Sequence, residues 1–431
     1  MSWTNSRNAE LKERAAKVIP GGMYGHESTA LLPADFPQFF RRADGTRLWD
    51  ADDNEYIDYM CAYGPNLLGY RHAAVDAAAR AQMELGDTLT GPSEIMVTLA
   101  EDLVGMLSHA EWAMFCKNGT DATSMATVVA RAHTGKRKIL VGRGVYHGAA
   151  PWCTPGPAGI LSDDRAHIAY YRDQDPQSLA DAMKEHAGDV AAVFATPFRH
   201  ETFRDQAPPD ATFAREARRL CDAEGAMLVL DEVRTSFRLS RDHAWAALGV
   251  APDLSSCGKV IGNGQPISAL VGGEHLRKAA GSVFVTGSFW FSAVPMAAAI
   301  ATLKIVRESD YLERITRTGT LLREGLARQA ADHGFALRQT GPVQMPQILF
   351  EDDPEMRLGY FWTAAAVRRG IYLHPYHNMF INAALSEADV AATLEATDGA
   401  FAALKAQDLK HLPLERPAVR ERLERAAALS A

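Results

Sequence analysis

The stretch AMLVLDEVRTSFR (residues 226–238) decides the fold. Its apolar run, Met227–Leu230, has no polar position and ends on the acidic pair Asp231-Glu232. A strand that is apolar on both faces has no solvent side, and such strands belong to parallel sheets covered by helices above and below. Working outward, runs of the same kind occur at Trp112–Cys116, Lys138–Val141 and Val190–Ala195. They alternate with helical stretches such as Ser93–Leu107 and Ala211–Ala223. This alternation predicts a large α/β domain over residues 61–300. Beyond it the composition shifts to Arg- and Ala-rich helices, Ala301–Ala331 and Tyr360–Gly370, and then a compact helical tail. Before it come a polar helix, the loop Ile19–Gly25, and two strand-like pieces, Phe39–Arg42 and Arg47–Trp49. Residues 1–60 are expected to join residues 301–431 in a smaller domain.

The chain of 431 residues is 47% hydrophobic and 23% charged, with a net charge of -8. That balance suits a globular protein with a large core, and no basic run suggests a nucleic-acid surface. The five cysteines, Cys61, Cys116, Cys153, Cys221 and Cys257, show no paired or ligand-like spacing. No disulfide framework and no metal are therefore expected, and a reducing compartment fits best. The N-terminus reads as a charged helix, and the longest apolar stretch, Ala293–Val306, is broken by Lys304. The expectation is a cytoplasmic enzyme with no membrane partner.

Ligands of open α/β sheets bind at the carboxyl ends of the strands, so the residues after each apolar run carry the chemistry. In WAMFCKNGTDATSM, a strand runs into Asn118-Gly119-Thr120 and a helix is expected to open at Asp121. Gly119 permits close approach of the backbone, and the helix N-terminus offers free N–H groups to a phosphate. A plain N-cap by Thr120 would use the same residues. In GRGVYHGAA, Tyr146 and His147 could lay an aromatic face against a planar ligand, or form an ordinary loop. Asp231 at the end of a buried strand needs a cationic partner, unless it only caps the following turn. Val233 would lie on the same side as Asp231. In PDLSSCGKVIGNGQPISALVGG, Lys259 sits in an irregular, apolar-flanked segment. Burial there would favour the free amine, whereas a surface loop would leave it an ordinary lysine. The order of the four segments is more telling than any one of them.

In that order the residues resemble the class III aminotransferases of pyridoxal-phosphate fold type I, above all the glutamate-1-semialdehyde aminomutase-like branch. WDADDNEYIDY (49–59) is similar to the family's W-D-x-D-G-x-x-Y-I-D-Y, with Asp53 in place of Gly. NGTDA stands for S-G-T-E-A, YHG is intact, and DEVRTSFR resembles D-E-V-x-x-G-F-R with Ser236 for Gly. The resemblance implies a large domain with a mostly parallel seven-stranded sheet and a smaller α+β domain. It implies that Lys259 forms the Schiff base to pyridoxal phosphate and moves the proton, while Asp231 pairs with the ring nitrogen. Tyr146 and Val233 would cover the two ring faces, with His147 beside them, and Asn118, Gly119 and Thr120 would hold the phosphate. Ser288 in TGSFWFS, or Thr286 nearby, would reach the phosphate from a second subunit, so a homodimer with shared sites is expected.

Three departures from the family pattern bear on the substrate. Thr196-Pro197 replaces the usual Glu-Pro; HPYHNMFINAALS carries Asn382 where relatives place a carboxylate-clamping Arg; and MYGHESTA lacks the aminomutase Arg. Tyr63, Phe289, Trp290, Tyr376 and His377 are expected near the substrate. The leading expectation is a ping-pong transaminase whose donor or acceptor lacks an α-carboxylate, unless Arg41, Arg42 or Arg199 supplies the clamp. The alternatives are an aminomutase or racemase of the same fold, or a non-catalytic binding relative.

Overall fold

The computed structural model describes residues 3–156, 158–200, 202–412 and 417–428. By its internal contacts the chain forms two compact units. Unit 1 comprises Met1–His72, Glu201–Gln206 and Glu313–Ala431, and unit 2 comprises Ala73–His200 and Ala207–Leu312. The divisions thus lie at 72/73 and 312/313 rather than at 60/61 and 300/301. Between residues 60 and 72 the chain makes an irregular turn bonded to neighbours in unit 1, with no change of composition to announce it.

Unit 1 opens with helix α1 (Ser6–Val18) and strands β1 (Phe40–Asp44), β2 (Arg47–Asp50) and β3 (Glu55–Asp58). The β2–β3 turn places Asp53 at φ +65°, where the family has Gly and where Asp is among the better tolerated residues.

Unit 2 begins with α2 (Ala73–Leu85) and α3 (Ile95–Met106), then β4 (Trp112–Cys116), α4 (Gly119–Thr134) and β5 (Lys138–Gly142). It continues through β6 (Ile168–Tyr171), α5 (Pro176–Glu185), β7 (Val190–Ala195), α6 (Ala211–Glu224) and β8 (Met227–Asp231). It ends with β9 (Leu254–Cys257), β10 (Ser268–Gly272), α7 (Arg277–Ser282) and α8 (Ala293–Glu308). The seven strands lie in the order β4-β10-β9-β8-β7-β5-β6. β10 alone runs opposite to the other six strands. β6, β9 and β10 lie outside the runs read from the sequence as strands, because serines, tyrosines and glycines interrupt their apolar character.

The apolar run that opened the sequence reading shows why both faces must be covered. Met227 and Val229 of β8 pack with Met125, Ala126 and Val129 of α4 on one face. Leu228 and Leu230 pack with Phe213, Ala217 and Cys221 of α6 on the other. The period of two sends alternate side chains to opposite layers. Local signals set the helix ends: Asp210 accepts from Thr212 N at 2.7 Å, and Gly225 leaves α6 at φ +64°.

Unit 1 resumes with α9 (Tyr311–His333), β11 (Leu337–Thr340), β12 (Gln347–Phe350) and α10 (Arg357–Val367). β13 (Ile371–Tyr372), α11 (Glu387–Lys405) and α12 (Pro417–Ala428) complete the described chain. β13 joins β3 in parallel, completing the sheet β1-β2-β3-β13. The helix read as Ala301–Ala331 is two helices. Ser309 is extended (φ -107°, ψ 170°) and its hydroxyl donates to Ile305 O at 2.7 Å, a local bond that ends α8.

Candidate active site

Because β10 alone is reversed, the carboxyl ends of β4, β5, β7, β8 and β9 share one edge of the unit 2 sheet. Asp231, the last residue of β8, is paired with Ser256 of β9, three positions before Lys259. The strand-end acid and the lysine therefore leave the sheet side by side.

The Asp231 side chain is only 6% exposed, and its Oδ2 lies 2.8 Å from Nδ1 of the buried His147. Its Oδ1 accepts from Val233 N at 3.0 Å. His147 is held in turn, its carbonyl accepting from Thr123 Oγ1 of α4 at 2.7 Å and its ring edge-on to Phe194. His147 Nε2 is buried and has no partner among the described residues. One imidazole N–H and one backbone N–H orient the carboxylate without cancelling its charge, so the site still favours a cation.

The turn into α4 is built by close packing. A Cβ on Gly119 would lie 2.5 Å from Val233 Cγ1, and one on Gly258 would lie 3.3 Å from the same atom. Gly119 is thus required for the turns after β4 and β8 to meet on Val233, and Gly258, whose Cβ would lie 2.6 Å from Ser268 Oγ, for the turn after β9 to pass β10. Gly148, at φ +125°, approaches Thr120 closely, and Thr120 Oγ1 accepts from Ala149 N at 3.0 Å. The cap of α4 is Asn118, whose Oδ1 accepts from Asp121 N at 3.0 Å, not Thr120, and the helix opens two residues earlier than the sequence suggests. Its first-turn N–H groups precede the helix's own bonds and face outward along the axis. Lys259 is half-buried, at φ +47°, at the start of the turn Lys259–Gly262. A buried carboxylate wanting a cation, an amine at the adjacent strand end and a helix N-terminus for an anion form a donor set that fits pyridoxal phosphate.

A family model described as aminotransferase class-III matches residues 33–156 and 157–393. The chain belongs to the class-III aminotransferases. The enzyme is 64% identical over 399 residues to an aminopentol aminotransferase of Sphingopyxis macrogoltabida, covering 93% of this chain and 94% of that protein. It is 33% identical to a glutamate-1-semialdehyde 2,1-aminomutase of Desulforamulus reducens, over 94% of this chain and 99% of that one. Among solved structures it matches the PLP internal aldimine form of the FumI protein of Sphingopyxis sp. MTA144. That match has a TM-score of 0.95 and 62% identity, over 96% of this chain and 100% of the other. This aminotransferase is therefore a pyridoxal-phosphate-dependent transaminase of fold type I.

The remaining sequence candidates are more dispersed. Tyr146 is 42% exposed. Ser288 and Phe289 stand exposed in a turn, with Thr286 exposed just before it, while Trp290 packs against the core beneath α4. In unit 1, Tyr63 stacks edge-on with His26 at 4.6 Å and His377 at 5.5 Å, and its hydroxyl donates to His26 O. Cys61, Ala62 and Tyr63 all have positive φ, a strained run held by Asp58, which accepts from Met60 N and Cys61 N. Arg41 is paired with Asp53 at 2.6 Å, and Arg42 lies over the Trp49 ring at 3.8 Å. Arg199 is half-buried in unit 2. Among the described residues, no helix is long and apolar enough to cross a membrane.

One residue of the unit 2 site escaped the sequence reading. His200, beyond β7, is buried; Arg234 Nη1 lies 3.1 Å from its Nδ1 and donates to its carbonyl at 2.6 Å. Burial first, then the charges of Arg234, His147 and Lys259, push its pKa well below the ordinary imidazole range. With Nδ1 facing a guanidinium, the neutral ring carries its proton on Nε2, which is buried without a partner. The usable signal was its position just past an apolar strand, the rule that singled out Asp231.

Proposed function

We propose that this transaminase takes an amino donor without an α-carboxylate, an amine of the amino-polyol class. The observation that carries the reading is the state of Asn382, which stands where relatives place a carboxylate-clamping Arg. Its Oδ1 accepts from Ala384 N at 3.0 Å and Leu385 N at 3.1 Å, and its Nδ2 donates to Thr46 Oγ1 at 3.3 Å. Both polar atoms of that side chain are engaged inside unit 1, the oxygen in the turn at Ala384-Leu385 and the nitrogen with Thr46 and Cys61. Arg41 and Arg42 are likewise engaged with Asp53 and Trp49. A carboxylate desolvated without a charged partner binds poorly. The name of the 64% identical relative, an aminopentol aminotransferase, agrees with this class.

When bound, pyridoxal phosphate supplies a carbonyl that condenses with amines and a ring that accepts electron density from the adjacent carbon. In this reading Lys259 Nζ would hold the cofactor and serve as the base that moves a proton. Asp231 would supply the negative charge that the ring nitrogen needs, with His147 orienting its carboxylate. Val233 and Tyr146 would pack against the ring, and Asn118, Gly119 and Thr120 would hold the phosphate at the start of α4. Ser288 completes the phosphate site of a partner in a homodimer.

The test is a donor panel with a common keto-acid acceptor. Long-chain amino alcohols and simple amines should give kcat/KM at least about tenfold above matched α-amino acids, a difference near 1.4 kcal/mol in transition-state binding. A preference for α-amino acids that disappears on mutating Arg199 would overturn the proposal.

A further inference from the structure

On the far side of the chemistry, three side chains meet that the transamination reading does not use. His109 lies in the turn between α3 and β4, and Asp242 and His243 lie in the segment after β8. One potential ligand atom from each falls within 4.8 Å of the others. The two imidazole rings stand 4.8 Å apart, nearly perpendicular at 81°. Both ring nitrogens of His109 and Nδ1 of His243 are buried and without a hydrogen-bond partner among the described residues. His243 as a whole is only 2% exposed.

Three unsatisfied imidazole nitrogens at one spot are costly, at about 1–3 kcal/mol for each unpaired buried group. Native interiors seldom leave such a cluster without an occupant. A neutral imidazole nitrogen without a hydrogen-bond partner has a lone pair free to bind a metal. Asp242 is already oriented, its Oδ1 accepting from Ser108 N at 3.0 Å and from His243 N at 2.7 Å. Its second oxygen can therefore turn to the histidines, and its partial exposure leaves a path from solvent.

We propose that His109, Asp242 and His243 form a binding site for one divalent transition-metal ion, zinc foremost. Two imidazoles and one carboxylate are the ligand types zinc takes, with water in the fourth position. Bonds of about 2.1 Å place tetrahedral ligands roughly 3.4 Å apart, so closing the site needs movements of about an ångström. A rotation of the His109 ring within its turn supplies such a movement. The bound ion joins the turn after α3 to the segment that begins at Asp231. That segment is also pinned where Ala244 N donates to Glu232 Oε1 at 2.7 Å. The site is thus a staple behind the active-site acid rather than part of the reaction. Nothing in the linear sequence signals it, because His109 is more than a hundred residues from its partners.

The test uses holoenzyme freed of metal by a chelator and titrated calorimetrically with zinc. One ion per chain is expected, with affinity lost at least about 100-fold in His109→Ala and in His243→Ala, and more moderately in Asp242→Asn. Retention of the cofactor's visible band shows that each variant is folded. Wild-type crystals soaked in zinc give a readout independent of any variant: an anomalous peak between the two histidines is expected. Equal zinc affinity in wild type and the double histidine variant, or zinc peaks only elsewhere, would overturn the proposal.

Discussion

Asp231, with a side chain 6% exposed, is held by a single imidazole and one backbone N–H. Asp231→Asn keeps the shape and removes the charge. The expected outcome is a protein that still binds pyridoxal phosphate but whose single-turnover rate falls at least about 100-fold; an unchanged rate would contradict the role given to Asp231. Its neighbour Glu232 makes a separate prediction. Burial pushes the Glu232 carboxyl up to about 8, partly offset by the bond from Ala244 N, with Asp242 and Asp231 adding to the rise. Between the ordinary value of 4.5 and about 8, the folded chain holds a proton that the unfolded chain has released. Stability from this group is complete below that window and is lost as pH rises through it, by at most about 1.4 kcal/mol per pH unit. Glu232→Gln keeps the acceptor for Ala244 and should flatten the fall in denaturation midpoint between about pH 5 and 8. A slope equal to that of wild type would assign the pH dependence to other groups.

At the scale of elements, the turns after β4, β8 and β9 are held together on Val233. Gly119→Ala places a methyl 2.5 Å from Val233 Cγ1, so the start of α4 or the end of β8 must shift. The expected cost is about 1–3 kcal/mol with weakened cofactor binding, and Val233→Ala in the same chain should recover part of the stability. Additive losses in the double variant would rule out the contact as the cause. This packing also marks what the sequence could and could not show. Asp231 and Lys259 stood out as candidates because one ends an apolar run and the other opens an irregular segment, although a turn cap and a surface loop would have used the same residues. The helix after Cys116 was legible, but its cap was not, because Asn118 and Thr120 are both good caps and only the bond to Asp121 N distinguishes them. β9 and β10 were hidden by Ser255, Ser256 and Ser268, polar residues that the sheet interior buries completely or nearly so. His200 could have been found by its place just past the apolar strand β7, whereas the group around His109 depends on an approach between distant segments that no local pattern encodes.

At the scale of the whole molecule, the exposed turn carrying Ser288 is the expected link between subunits. Mixing Lys259→Ala chains with Ser288→Glu chains should restore activity, because a hybrid dimer holds one site with an intact lysine and an intact serine. Random exchange at equal amounts makes half the dimers hybrids, so about a quarter of wild-type activity is expected. A mixture as inactive as its two components, or a fully active monomer in sedimentation, would remove the shared site. The division of the chain into units has a consequence for its synthesis. Unit 2 is complete once Leu312 has been made, whereas the sheet of unit 1 pairs β3, ending at Asp58, with β13, beginning at Ile371. At about 5–20 residues per second, β3 leaves the ribosome roughly 15–60 s before the strand that covers its edge. For that interval a nascent chain carries an open strand edge in its first sixty or so residues, and an open edge is what chaperones and aggregation compete for. The yield of native enzyme should therefore depend on the pace of translation between Asp58 and Ile371, the middle of the message above all, more than on its pace beyond Tyr372.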